Sequence, residues 1–481
     1  MLWTDLREFL KCLEDRNELR MVKGASWQEE IGAITELVTE RKGPALMFDE
    51  VPGYPSGYRV ISNVFTNPER TALALGLGTE PGFFQRWRER MRSMKPVPWA
   101  EVDTGPIFEN VLAGPDVNVC KFPVPKWHEN DGGRYIGTGV CVINRDRETG
   151  FVNSGAYRVS IVDERTCALF IEHGKHGYRI AQKYWHAGER CPVVISVGQE
   201  PVLTALGGPS VYHTAEGISE FEVAGYIHGS PYPVVRGRMT GLPIPAHAEI
   251  VLEGFIVSPA ERLVPEGPFG EWTGYYAHGR RPELVVEIEA IYHRHDPILF
   301  GMPPGRPLAC YYNYHLGDDD LEYLDRLENA GIEGVQRVYF LGRPNFRVVS
   351  LKQTHPEHVQ EVINVLAPGG DAYSGHHIWV LVDDDIDVEN PHEVLWAIAS
   401  RCAPEDGVTV VPGRAVWQLD PRIPPEARSL PGTEGRQSYP AHNLVLNACR
   451  PYRWMDEFPP VAVNSRELRE RTLQKWAEAI P

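Results

Sequence analysis

Residues 265–276 have the sequence PEGPFGEWTGYY, and this stretch is the densest cluster of structurally unusual residues in the chain. Its alternating glycines and prolines exclude a regular helix or a central strand, so it predicts a shaped loop. Glu266 and Glu271 can converge on such a bent loop, although they are five positions apart. Their apolar neighbours Phe269 and Trp272 would raise the pKa of a carboxyl group, as a proton donor near neutral pH requires. A solvated turn with two unrelated acids is the competing interpretation, and the spacing alone does not decide between them.

A second unusual segment, Asn153-Ser154-Gly155-Ala156-Tyr157-Arg158, lies in a β-rich region from Tyr135 to Ile171 that predicts an antiparallel meander. In a perfect strand, Asn153 and Arg158 would point to opposite faces because their separation is odd. Gly155 permits a bulge that would bring both side chains to one side. The alternative is a turn asparagine and a surface arginine, which periodicity alone favours.

Possible metal ligands follow at His173 and His176, and at Glu220 and Glu222. A histidine, a carboxylate and an amide oxygen form a mixed ligand set that suits manganese or magnesium better than zinc. The eight cysteines contain no C-x-x-C pair, which also argues against a zinc site. Histidines that are hydrogen-bonded within a loop remain the alternative for each residue taken singly.

Composition limits the possible functions. The 481 residues carry a formal charge of -17, and no long block of Lys or Arg occurs, so we expect neither nucleic acid nor an anionic membrane as a partner. The charged N-terminal residues exclude a signal peptide, and we expect a cytoplasmic protein. An anionic substrate would then need local positive charge to overcome the field of the whole protein.

The chain is long enough for about three compact units. A first helix should begin near Thr4 as its N-cap, and Asn464 with Glu467 resembles a capping box before a last helix. Strand patterns dominate the centre, whereas helices and strands alternate after about residue 300. The predicted units are an N-terminal α/β domain (1–105), a sheet-rich central domain (106–300), an α/β domain (301–440), and a tail with a helix that docks on the core or on a neighbouring subunit (441–481).

Several ordered segments together resemble the UbiD family of decarboxylases. They are Asp131 to Ile136, Asn153 to Arg158, Lys175-His176-Gly177, Ser219-Glu220, Glu249 to Gly254, Pro265 to Glu271, and Asp383 to Val388 before Leu395-Trp396-Ala397. The resemblance implies an α+β multidomain fold with a central FMN-binding split β-barrel and flanking N-terminal and C-terminal α/β domains. It also implies that the C-terminal domain mediates oligomerisation, as a homodimer or a trimer of dimers.

The same resemblance implies the site. Asn153, His176 and Glu220 match the ligands of a manganese ion that bridges to the phosphate of prenylated FMN, with potassium nearby. His173 stays open as an alternative to His176. Further cofactor contacts are implied at Thr138, Ser154, Arg158 and Ser210. A lysine usual in the family is replaced here by Gly375-His376-His377, so that its phosphate contact is either missing or made by imidazole.

Arg158, Glu266 and Glu271 match the Glu-Arg-Glu constellation of the family. The implied reaction is a reversible, non-oxidative decarboxylation of an aromatic, heteroaromatic or α,β-unsaturated acid, through a covalent adduct of substrate and cofactor. Glu271 would protonate the product carbon, and a flavin prenyltransferase would supply the cofactor. The reaction needs such a cofactor for a physical reason: loss of carbon dioxide from an sp2 carbon requires an electron sink, and no side chain provides one.

The identity of the acid is a separate prediction. Trp272 and the aromatic cluster Tyr311, Tyr312 and Tyr314 favour an aromatic or heteroaromatic substrate, with an acrylic acid as the alternative. Two other functions remain in competition: a hydrolase that uses Glu266 and Glu271 as paired carboxylates, and a flavin or metal binder without catalytic activity.

Overall fold

The structure is a computed structural model of the chain. It describes residues 2–80, 82–208, 217–306, 318–342, 346–367, 377–415, 419–425, 439–477 and 479. The sequence-based predictions for Ser210, His376 and the three tyrosines between 311 and 314 lie outside these residues.

The helices and strands follow in chain order. The α-helices are α1 (Leu6–Asp15), α2 (Glu30–Glu40), α3 (Pro68–Ala74), α4 (Phe83–Arg92), α5 (His176–His186), α6 (Pro201–Leu206), α7 (Glu220–His228), α8 (Asp318–Asn329), α9 (His358–Leu366), α10 (Pro391–Arg401) and α11 (Arg466–Lys475). The strands are β1 (Leu19–Lys23), β2 (Ala45–Asp49), β3 (Arg59–Ser62), β4 (Ala100–Glu101), β5 (Asn110–Ala113), β6 (Tyr135–Gly137), β7 (Val140–Arg145), β8 (Val152–Gly155), β9 (Arg158–Ile161), β10 (Thr166–Phe170), β11 (Cys191–Val197), β12 (Pro233–Arg236), β13 (Pro243–Pro245), β14 (Ile250–Ile256), β15 (Leu263–Glu266), β16 (Arg281–His293), β17 (Ile298–Phe300), β18 (Val335–Gly342), β19 (Phe346–Leu351), β20 (Ile378–Asp383), β21 (Val408–Ala415) and β22 (Tyr439–Ala448).

A four-stranded sheet in the order β1-β2-β3-β17 forms the N-terminal unit. Helix α1 buries Leu6, Phe9, Leu10 and Leu13, the stripe expected from their helical spacing. Strand β17 follows the central sheet in sequence but runs parallel to β3. The chain therefore returns to the first unit after building the central one.

The central unit contains a ten-stranded sheet. Its main path is β6-β9-β10-β16-β14-β11-β7-β8, and β5 and β15 also pair with β16. Strand β16 is 13 residues long and thus connects several neighbours in one curled half-barrel. This arrangement confirms the predicted α+β fold with a split-barrel centre. A small sheet, β13-β12-β4, lies beside it.

The C-terminal unit is a five-stranded sheet in the order β18-β19-β20-β22-β21, with helices α8, α9 and α10. The alternation of helices and strands that was expected after about residue 300 is therefore observed. The predicted tail was wrong at its start, because residues 441–448 lie in β22 and pair with β20 and β21. Helix α11 contains no buried residue in the single chain, so its docking stays a prediction.

Both interpretations of the segment from Asn153 to Arg158 were wrong, because the segment is not one bulged strand, Asn153 lies in a strand rather than a turn, and the Arg158 side chain is only 10% exposed. Strand β8 ends at Gly155, and Arg158 begins β9, two strands near opposite ends of the sheet path. Strand β8 pairs only with β7 along this path, whereas β9 pairs with β6 and β10. Only two residues connect these strands, so the curl of the sheet brings the two ends of the path close together, which local periodicity does not reveal.

Both predicted helix caps were wrong by one residue. Asp5 rather than Thr4 caps α1, where its carboxylate accepts a hydrogen bond of 2.8 Å from the Glu8 amide. Ser465 rather than Asn464 caps α11 and accepts from the Leu468 amide at 3.2 Å.

In the part of the chain that the structure describes, no helix is both long and apolar enough to span a bilayer.

Candidate active site

One buried guanidinium joins the two loop glutamates. Arg158 Nη2 donates to Glu266 Oε2 at 2.8 Å, and Arg158 Nη1 donates to Glu271 Oε1 at 2.5 Å. The Arg158 and Glu271 side chains are each 10% exposed, and that of Glu266 is 2% exposed. The structure thus brings together the three residues that the sequence analysis singled out as catalytic.

Aromatic rings enclose this ion cluster. The Tyr135 hydroxyl donates to Glu266 Oε1 at 2.7 Å, and its ring stacks on Phe269 with centroids 3.9 Å apart. The Arg158 guanidinium lies 4.6 Å from the centroid of Phe170 and 5.4 Å from that of Phe269. The rings exclude water, which strengthens every electrostatic interaction within the cluster.

Burial and the neighbouring charges shift the pKa values of both Glu271 and Arg158. Burial raises the pKa of Glu271, although the positive charge of Arg158 opposes this shift. Burial alone would lower the pKa of Arg158, but Glu271 and Glu266 raise it above the ordinary value. The arrangement therefore places a carboxyl group that tends to keep its proton beside a permanent cation.

The loop is held in place by residues 131–134. Asp131 accepts a hydrogen bond of 3.0 Å from the Tyr276 hydroxyl, and the Gly132 amide donates to the Pro268 carbonyl at 2.7 Å. Arg134 lies with its guanidinium 4.1 Å from the ring centroid of Trp27 in the N-terminal unit. The segment that holds the loop is thus itself in contact with the N-terminal unit.

A second buried ion pair adjoins the first, and the sequence analysis missed it. Arg281 Nε donates to Glu283 Oε1 at 2.6 Å, and these side chains are 9% and 6% exposed. The Arg281 guanidinium lies 4.7 Å from the Phe170 centroid. Burial raises the pKa of Glu283 to about 7, although Arg281 lowers it. Their i, i+2 spacing was a weak signal, but only the pairing of β15 with β16 places them beside Glu266.

The predicted metal ligands lie on one strand and at two helix N-termini. Asn153 is in β8, His176 is the first residue of α5, and Glu220 is the first residue of α7. The Ser154 amide donates to Glu220 Oε2 at 2.8 Å. Hydrogen bonds also lead from Asn153 Nδ2 to Asn144 Oδ1 (3.2 Å) and from Asn144 Nδ2 to the carbonyl of Gly177 (3.0 Å). These contacts connect the strand to both helix starts.

Glu220 is a buried carboxylate that needs a compensating charge. Burial raises its pKa to about 7, and among the described residues no Lys, Arg or His forms an ion pair with it. A buried anion without a cation is costly, so the environment suits a divalent ion bound with amide and imidazole ligands. Among the described residues, no three His, Cys, Asp or Glu side chains are arranged so that they could hold a metal ion by themselves.

The two candidate histidines have different surroundings. His176 meets the Phe151 ring edge to face, with centroids 5.8 Å apart, close to Asn144 and β8. His173 stacks on Tyr178 at 4.2 Å, and its pKa is lowered by burial and then by Arg281. His176 therefore lies near the strand that carries Asn153, whereas His173 lies on the side of Arg281.

Three further predicted cofactor contacts can be located. Thr138 Oγ1 accepts a hydrogen bond of 2.8 Å from the Met302 amide, and Ser154 is fully buried in β8. His377 immediately precedes β20 in the C-terminal unit, where its Nδ1 is 2.6 Å from Arg347 Nη1. Its imidazole is thus engaged with a cation of its own sheet.

Comparison with known families gives matches along most of the chain. The N-terminal, Rift-related and C-terminal domain models of 3-octaprenyl-4-hydroxybenzoate carboxy-lyase match residues 10–91, 100–307 and 319–437, respectively. A phenolic acid decarboxylase from a Streptomyces species is 30% identical over 93% of this chain and 97% of its own length. A pyrrole-2-carboxylic acid decarboxylase from Pseudomonas aeruginosa is 29% identical, covering 98% of both chains.

Solved structures give the same result. The UbiD-class enzyme HmfF from Pelotomaculum thermopropionicum, in complex with FMN, superimposes with a TM-score of 0.81 at 25% identity and covers 96% of this chain and 98% of its own. Vanillic acid decarboxylase from Sedimentibacter hydroxybenzoicus, in its open form, gives a TM-score of 0.80 at 26% identity, with 99% of each chain covered.

Proposed function

Because this chain belongs to the UbiD family of carboxy-lyases, we propose that it catalyses the reversible, non-oxidative decarboxylation of an aromatic or heteroaromatic acid with prenylated FMN. The observation that carries the proposal is the buried bridge from Arg158 to Glu266 and Glu271. A protonated carboxyl group fixed beside a cation can serve both an anionic substrate and a proton transfer to carbon.

The side chains divide the proposed work between binding and proton transfer. Arg158 attracts and orients the substrate carboxylate while Glu266 holds its second guanidinium nitrogen. Tyr135 in turn fixes Glu266. When bound, prenylated FMN supplies the electron sink that decarboxylation at an sp2 carbon requires. Glu271 then gives its proton to the carbon that has lost carbon dioxide, and regains a proton before the next turnover.

For the cofactor, we propose that Asn153, His176 and Glu220 would hold a manganese ion, whose positive charge would favour the phosphate of the cofactor. The raised pKa of the buried Glu220 carboxyl group, which has no cationic partner among the described residues, supports this assignment. Thr138 and Ser154 are proposed as further cofactor contacts. Potassium near the cofactor, Ser210 as a contact, and a phosphate contact through His376 or His377 stay predictions from the resemblance.

The proposed substrate class follows from the walls of the site and from the relatives. Phe170, Phe269 and Tyr135 surround the Arg158 guanidinium with aromatic surface, which favours a flat substrate. The relatives named above are decarboxylases of phenolic acids and of pyrrole-2-carboxylic acid. An acrylic acid substrate remains the alternative within the same chemistry.

A hydrolase with paired carboxylates has less support. Glu266 and Glu271 share one guanidinium, and Glu266 also accepts from Tyr135. Neither carboxylate is thus left to activate water across a sugar ring, as a glycosidase requires.

We also propose that the chain is a cytoplasmic homodimer that receives its cofactor from a flavin prenyltransferase. Exposed apolar side chains on the C-terminal unit support self-association: Leu395 is 59% exposed, Trp396 is 44% exposed, and Val410 is 59% exposed. Light scattering would measure the mass of the assembly and would also reveal a trimer of dimers.

The proposed function is tested by producing the chain with a flavin prenyltransferase, recording the visible spectrum, and measuring carbon dioxide release from phenolic, pyrrole and acrylic acids. We expect a flavin-like chromophore and turnover of at least one aromatic or heteroaromatic acid. Glu271→Gln should keep the chromophore and lose turnover, whereas Glu261→Gln, at an exposed pair with Arg190, should keep both. Full activity in a flavin-free preparation would refute the proposal, and a chromophore without any decarboxylation would indicate a non-catalytic binder.

A further inference from the structure

Two guanidiniums share the ring of Phe170. Arg158 and Arg281 lie 4.6 Å and 4.7 Å from its centroid, and Arg281 has a carboxylate partner of its own in Glu283. We propose that Glu283, by neutralising Arg281, keeps a proton available on Glu271 and so acts as a positioning residue for the acid. This inference rests on the proposed function, in which Glu271 is the proton donor.

Strand register explains why the two ion pairs adjoin. Arg158 in β9 pairs with Phe170 in β10, and Leu169 in β10 pairs with Leu284 in β16. The register therefore places Phe170 across from Glu283. On the other side of β16, Glu266 in β15 pairs directly with Arg281. Four strands thus bring both arginines and their carboxylates to one region of the half-barrel.

The charges of this region do not balance if every group is ionised. Two guanidiniums face three carboxylates, those of Glu266, Glu271 and Glu283, and all five side chains are at most 10% exposed. One proton would make the cluster neutral, and neutrality is favoured where water is excluded. The pKa values of both Glu271 and Glu283 are raised by burial, so these two groups compete for that proton.

The effect of Arg281 on Glu271 gives Glu283 its role. The positive charge of Arg281 lowers the pKa of Glu271, in addition to the larger effect of Arg158. An ionised Glu283 compensates Arg281, so Glu271 is exposed to less net positive charge. Loss of the Glu283 charge would leave Arg281 uncompensated, and Glu271 would ionise at a lower pH.

Other titratable groups also face Glu283 and Glu271. Arg158 comes from β9, Glu266 from β15, and the hydroxyl of Tyr135 from β6. The loop before α5 contributes His173, whose pKa is lowered by burial and by Arg281. Burial also raises the pKa of Tyr135. His173 and Tyr135 therefore stay neutral around neutral pH. The net charge of the cluster then depends only on the three carboxyl groups and the two arginines.

The experiment compares Glu283→Gln with the double variant Arg281→Gln/Glu283→Gln. In the first, the pH at which Glu271 ionises should fall by about 1 unit, because one uncompensated cation remains nearby. In the second, it should return toward the wild-type value, because the removed charges cancel. A residue with only a structural role predicts the opposite order, since the double variant removes more contacts.

Two readouts separate this inference from the proposed function. Infrared titration of the full chain purified without cofactor follows the carbonyl band of protonated carboxyl groups, and subtraction of a matched Glu271→Gln spectrum isolates Glu271. The alkaline limb of decarboxylation by the cofactor-loaded enzyme should shift in parallel. The infrared result needs neither cofactor nor substrate, so it holds even if the activity is not the proposed one.

The inference is overturned if Glu271 titrates at the wild-type pH in Glu283→Gln, or if the double variant is no closer to wild type. Thermal unfolding identifies variants that fail to fold. For that case, Arg281→Gln alone provides the second test, because Glu283 should then keep its proton to a higher pH than in wild type. An unchanged titration of Glu283 in that variant would equally exclude the coupling.

Discussion

The backbone of Gly132 lies directly against that of Gly267: a Cβ atom on Gly132 would stand 1.9 Å from the Gly267 carbonyl oxygen. Gly267 separates Glu266 from the rest of the loop that carries Glu271. We therefore expect Gly132→Ala to displace this loop from Arg158. Because a shift of about 1 Å can cost roughly 100-fold in rate, kcat/KM for decarboxylation should fall by about that factor.

The neighbouring glycine provides the control for this substitution. A Cβ atom on Gly133 would meet nothing within 4 Å. Gly133→Ala should thus stay within about twofold of wild type, as substitutions without a steric conflict usually do. Equal losses in the two variants would show that the contact with Gly267 does not position the loop.

Arg158→Lys tests the bridge between the two carboxylates. Lysine keeps the charge but lacks the planar fork that binds Glu266 and Glu271 through separate nitrogens. We expect kcat/KM to fall by about 100-fold, because Arg158 would no longer hold the substrate carboxylate and Glu271 in a fixed relative position. Arg147→Lys, at the exposed pair with Glu189, should have no measurable effect. Wild-type kinetics for Arg158→Lys would mean that charge alone suffices.

Addition of manganese to the cofactor-free chain should raise its melting temperature, because a ligand that binds only the folded state stabilises it. Glu220→Gln should abolish this shift. Glu222→Gln on the same helix should retain it, since glutamine can still accept from the Ser219 amide in the capping box. Loss of the shift in both variants would indicate damage to the helix rather than loss of a ligand.

A second prediction for Glu220 concerns the pH dependence of stability in the metal-free protein. Its pKa is raised to about 7 by burial, so its protonated form stabilises the fold at low pH and this contribution is lost as pH rises through about 7. Glu220→Gln should therefore be at least as stable as wild type under alkaline conditions, and denaturant unfolding at several pH values would measure the difference. A variant that is less stable at every pH would contradict an uncompensated buried charge.

The pH dependence of turnover should show the protonation of Glu271. Burial raises its pKa above the ordinary range of glutamic acid, and an acid must be protonated to donate. The rate should therefore decline as pH rises through this raised pKa. Measurement of kcat against pH on the cofactor-loaded enzyme would show the decline as an alkaline limb. A rate that keeps rising with pH would exclude Glu271 as the donor.

Local patterns predicted much of this structure. The helical spacing of Leu6, Phe9 and Leu13 matches the buried face of α1, and the strand patterns in the centre match β11, β14 and β16. Such periodicities are properties of short segments, so they can be read without the fold. Helix caps were less accurate because adjacent residues such as Thr4 and Asp5 can both cap a helix.

The unusual loop at 265–276, the residue types able to hold a metal, and the order of helices and strands can all be read from the amino-acid sequence. The folded chain was needed to show that Arg158 lies between Glu266 and Glu271, 108 and 113 positions away, and that Arg281 and Glu283 adjoin them. Contacts at this distance depend on the register of β15 with β16 and on the curl of the half-barrel. Both are set by the packing of the whole chain, which no local pattern contains.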